Sequence, residues 1–250
     1  MTAPSISPAE ISEFPLTGPE PIRRPFVAPR TKIERAKTVL GELSQAIDSF
    51  LAEHPPKVRV EIQEPRGARP KVFFHVEAKG APEMIGAIMG DVIHNLRSAL
   101  DLVACELARA AGHSDKGVYF PFCDRPEALE KTIKDRRFDR AGPEAVALLR
   151  ELKPYPSGNA ALRAIHDLDI KDKHQMLLPT FTAFASPILS RWDDDGTLNL
   201  TVVGDPDLAT DVRLVLPDGP LGGDEILPAL HSLADLASGV VEAFCALTSK

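Results

Sequence analysis

The chain has 250 residues, 44% hydrophobic and 26% charged, the proportions of a soluble globular protein long enough to bury a substantial core. Its net charge of −7 argues against broad, sequence-independent nucleic-acid binding, which needs a basic field, although a local basic patch can still touch RNA. Cys105, Cys123 and Cys245 are too few and too scattered for a disulfide framework or a Cys-based zinc site, and no basic leader or long apolar run is present. A cytoplasmic protein with no membrane partner is the expectation.

From Met1 to Arg30 the prolines at 4, 8, 15, 19, 21, 25 and 29 forbid a helix or a central strand. The segment reads as an extended N-terminal arm, with Phe14, Leu16, Ile22 and Phe26 available to lie on the body or on a neighbouring subunit. An unattached tail is the alternative. Residues 31–250 read as a single domain.

Ile33, Ala36, Leu40, Leu43, Ile47 and Phe50 then repeat at three and four residues, predicting a helix from Thr31, with Thr31 and Glu34 as a capping box, to the Pro55-Pro56 stop. Val58, Val60 and Ile62, then Val72, Phe74 and Val76, alternate with polar residues. They predict an antiparallel strand pair with one buried face. Pro82 opens a long helix to about Gly112, whose apolar stripe runs from Ile85 to Leu107. Its other side carries Gly90, His94, Arg97, Ser98, Asp101 and Cys105 in place of the Lys and Glu of a solvated face, so something should cover both sides.

The aromatic stretch GVYFPFCD plugs the core, and two short helices follow around Pro126–Lys134 and Pro143–Leu152. Between them KDRRFDR is the densest positive cluster, a solvated loop or a phosphate-binding patch. The helix expected from Asn159 to Pro179 places Asp169, Asp172 and Lys173 inside its own apolar stripe with His166 at the border, so those charges need partners. Strands FTAFASPIL, TLNLTVV and DVRLVL come next, joined by turns at DDDG, GDPD and PDGP, and an apolar helix from Asp224 closes the chain. The fold class is α+β, a bundle of about four long helices flanked by antiparallel sheet.

The pair GDVIHNLRSALDLVA and AIHDLDIKDKHQMLL, with YFPF and KPYPSG as weaker companions, resembles a group of uncharacterised proteins of actinobacteria and their phages. That resemblance brings no activity. A more distant likeness is to the HEPN superfamily, helical bundles that often dimerise and include metal-independent RNases built on an Arg and a following His with four to six residues between them. Arg97 and its preceding Asn95 occupy a suitable helix, while the expected His positions hold Leu102, Val103 and Ala104. The resemblance implies a bundle fold and a nucleotide- or RNA-binding role.

If the two motif helices pack together, His94, Arg97 and Asp101 face His166, Asp169, Asp172 and Lys173. Such a layer either tunes a histidine for acid–base work or only fixes helix register. Asp91 with His94, and His166 with Asp169, place a carboxylate and an imidazole one turn apart, with His174, His231 and Asp235 as possible additions, but Arg97 and Lys173 oppose a cation. No metal ligand is assigned, and without a glycine-rich phosphate loop, dinucleotide fingerprint or serine elbow no cofactor is expected. The expected function is a helical binding or assembly protein, a homo-oligomer and most simply a dimer, with nucleotide or RNA as partner. The alternatives are a HEPN-like RNase or a metal-dependent hydrolase.

Overall fold

The computed structural model describes residues 24–63, 71–183, 189–204 and 212–248. Most of the expected N-terminal arm, and parts of the strands expected near Phe184 and Asp211, lie outside them. The molecule is α+β.

Helix α1 spans Val27–Glu53 and therefore begins inside the expected arm, four residues before Thr31. Pro29 does not prevent this, because a first-turn N–H has no intrahelical acceptor to lose. Phe26, buried and left-handed at φ 59°, turns the chain into the helix. Thr31 is no cap: its hydroxyl donates to the Val27 carbonyl one turn back.

Strands β1 (Lys57–Gln63) and β2 (Lys71–Lys79) pair antiparallel with Val60 opposite Phe74, and β2 continues to β5 (Thr197–Gly204) and β4 (Leu189–Trp192) in the order β1-β2-β5-β4. The expected buried face holds only in part. Phe74, Val76 and Ala78 of β2 are buried, but Val58, Val60 and Ile62 on the outer strand are 38%, 52% and 58% exposed. Alternation fixes which side chains share a face; it does not supply a layer to cover them. The DDDG turn closes the β4–β5 hairpin, with Gly196 at φ 76°. A separate two-stranded sheet joins β3 (Thr180–Ala183) to β6 (Val212–Val215).

Helix α2, Glu83–Ala110, is the hub, packing against α1, α5 (Ala160–Gln175) and α6 (Ile226–Leu247). Two short helices, α3 (Leu129–Asp135) and α4 (Pro143–Leu152), close one end, and Phe120 plugs it with edge-on contacts to Phe138 and Phe244 at centroid distances of 6.1 Å. By length and composition α6 is apolar enough to cross a membrane, and here Leu230, Leu233, Ala237, Val241 and Phe244 are buried in the bundle.

Candidate functional site

The unusual face of α2 is partly covered by α5 and by the loop around Phe120–Phe122. Asn159 starts α5 as an N-cap, accepting a hydrogen bond from the Leu162 N–H at 2.9 Å. Close approach at the far end of α5 depends on Gly86 and Gly90. A methyl group on Gly86 would sit 2.8 Å from the Leu177 carbonyl oxygen, and one on Gly90 would collide with the Asp172 carboxylate. The helix stops at Met176, a non-glycine residue at φ 51°, which turns Leu177 back into the core.

Along this seam the structure brings the expected side chains together. Asp169, 5% exposed, accepts from Lys173 Nζ at 2.5 Å on one oxygen and lies 3.3 Å from His94 Nδ1 on the other. His94 and Lys173 are both more than half exposed, and His94 Nε2 is 3.4 Å from the Ser98 hydroxyl. One turn along α2, Arg97 is 11% exposed and lies 2.5 Å from Asp101, near enough for an ion pair though not aligned for a hydrogen bond. Asp101 also accepts the Phe120 N–H at 2.9 Å, tying the core plug to the layer.

Arg97 Nε donates to His166 Nδ1 at 3.4 Å, and the guanidinium lies over the Phe122 ring at 4.9 Å. The His166 ring stacks on Phe122 at 4.9 Å and 3°. Burial, with the Arg97 and Arg163 cations adding to it, pushes the His166 pKa down to about 4. The imidazole is therefore neutral at pH 7, and because Nδ1 accepts from Arg97, its proton sits on Nε2. Asp172 shifts the other way. Burial raises its pKa, the Leu177 backbone N–H opposes that, and Asp169 and Asp91 add to it. Across the seam its carboxylate packs against Gly90.

His166 also lines a cleft of about 420 Å³ with Phe122, Asp124, Asp135, Arg136 and Arg163. Arg163 is held there by Asp124 and Asp167 at 2.9 and 2.7 Å, and Arg136 comes from the KDRRFDR cluster. Phe122, Arg136 and Arg163 are not among the residues expected at the layer; YFPF and KDRRFDR carry the only signals for Phe122 and Arg136, and Arg163 has none. Among the described residues no three His, Cys, Asp or Glu side chains converge as metal ligands, and His231 and Asp235 lie exposed on α6. Cys105 donates weakly to the Val118 carbonyl, and burial raises its thiol pKa, as expected of packing and not of a nucleophile. No family model, curated protein or solved structure matches the chain.

Proposed function

We propose that the chain is a helical binding protein that takes a phosphate-bearing ligand, a nucleotide or single-stranded RNA, into the cleft beside His166. The observation that carries this reading is the double role of His166. Its ring is fixed from behind by Arg97 and Phe122, and it forms part of a cleft wall that also holds Arg136 and Arg163. Guanidinium groups suit phosphate oxygens because their N–H donors match them in pairs, and a neutral imidazole adds one further donor. Asp124 and Asp135 supply acceptors to which ribose hydroxyls or base amino groups are complementary. The cleft falls within the size range of small-molecule sites.

In this reading Arg97, Asp101 and His166 form a rigid wall and do not carry out a reaction. The RNase alternative needs an imidazole at positions 102–104, where Val103 and Ala104 are fully buried in the core. The metal-dependent alternative needs converging ligands, which the described residues do not provide.

Calorimetric titration with AMP and with a short oligouridylate at low salt tests the proposal. Saturable binding is expected, weakened by about tenfold in Arg136→Ala and by added salt. Absence of saturable binding of both probes at millimolar concentration, or binding that ignores Arg136→Ala, would overturn it.

A further inference from the structure

Among the described residues the outer strand β1 presents an unpaired edge and an uncovered apolar row. All seven residues of Lys57–Gln63 are exposed or half-buried, and β1 lies at the end of the sheet. Val58, Val60 and Ile62 share a face with the buried Phe74, Val76 and Ala78, while Arg59 and Glu61 lie on the opposite face beside His75. Exposed edges of this kind invite another strand, and natural proteins usually blunt them with inward-facing charges, proline or a bulge. Lys57–Gln63 has no proline, and its register against β2 is unbroken.

We infer that a second copy of this chain covers β1, the two edges pairing antiparallel about a two-fold axis at Val60. The sequence KVRVEIQ is self-complementary in that register. Val60 meets Val60 of the partner subunit, and Val58 meets Ile62 of the partner subunit, each on the apolar face. On the other face Arg59 lies opposite Glu61 of the partner subunit, and Glu61 opposite Arg59 of the partner subunit. Cross-strand pairs of both kinds stabilise a sheet, and like charges placed opposite one another destabilise it.

Competing registers are disfavoured by the same residues. A one-residue slip sets Val58 or Val60, according to its direction, against Glu61 of the partner subunit and turns apolar side chains toward the polar face. A two-residue slip gives up two of the seven pairs and sets either Arg59 or Glu61 against its own copy. The result is an isologous contact that doubles the four-stranded sheet and extends its apolar face across the axis.

This contact gives the expected homo-oligomer a defined interface, and sedimentation equilibrium of the full chain tests both separately. A dimer is expected. Arg59→Glu and Glu61→Arg should each raise its dissociation constant by about tenfold, since each creates two like-charge oppositions. Mixing the two variant proteins, or combining both substitutions in one chain, restores opposite charges across the axis and should restore the dimer. Both positions are on the surface, so unchanged thermal melting checks that the fold survives. A monomeric wild-type chain, as would follow if residues 1–23 of the same chain took the strand edge, overturns the interface and the dimer together. A dimer indifferent to both substitutions, or not recovered on mixing, overturns the interface and leaves the dimer standing.

Discussion

Arg97 and His94 stand one turn apart on α2 and face the same partner helix, yet they occupy different physical situations. The Arg97 side chain is 11% exposed and is surrounded by Asp101, His166 and the Phe122 ring. His94 is 55% exposed and reaches inward only to Asp169. A charge deprived of water must be answered by the protein, whereas a polar group at the rim is answered by solvent whether or not it finds a partner. One seam therefore has a structural end and an open end.

The sharpest way to break this contrast is to remove the guanidinium. Arg97→Ala leaves Asp101 without its cation and His166 Nδ1 without its donor, and opens space over Phe122, so urea unfolding should show a loss of about 3 kcal/mol. A loss below ~1 kcal/mol would mean that the buried end is no more demanding than the rim. Gly86→Ala comes next, with an expected loss of about 2 kcal/mol, because its methyl group meets a backbone carbonyl that cannot move aside. Gly90→Ala should cost less, since the Asp172 carboxylate can turn away.

Protonation probes the same contrast. The His166 pKa lies near 4 in the fold against 6.5 when unfolded, so between those values the unfolded chain binds the extra proton. Its contribution is present above pH 6.5 and is lost as pH falls toward 4, by about 1–2 kcal/mol once solvent screening at its partly exposed edge is allowed for. Asp172, with its raised pKa, works in the opposite sense, so the difference between wild type and His166→Gln isolates the histidine. The smallest effect belongs to the open end. His94→Ala should change stability by no more than ~0.5 kcal/mol, because Lys173 still answers Asp169.

Much of the seam was legible in the sequence because helical periodicity reports faces directly. Asp169, Asp172 and Lys173 sat where apolar residues belonged, and the i,i+4 spacing of Asp169 and Lys173 already implied one of the ion pairs found. His94 and Arg97 lack Lys and Glu neighbours on their face, and α5 packs beside both, burying Arg97 and leaving His94 at the rim. The sequence marks Phe122 only as core, since an aromatic in a proline-bearing loop has no period to place it against a helix. The packing of Asp172 on Gly90 was invisible for a related reason: a glycine leaves room without saying for what. Among the strands, alternation paired β1 with β2 correctly but could not say that Val58, Val60 and Ile62 would stay uncovered. The start of α1 was misplaced because Pro29 reads as a breaker everywhere except in a first turn.

Near the start of α1, Arg30 grips Glu242 through two hydrogen bonds of 2.7 and 2.6 Å and touches Cys245, one turn from the end of α6. The pair is half exposed, so its worth lies less in energy than in geography: the first and last helices are clasped at the same corner. Fraying of either helix end loosens the other, and their amide protons should exchange with solvent in step. A reporter attached at one of these ends would sense events at both.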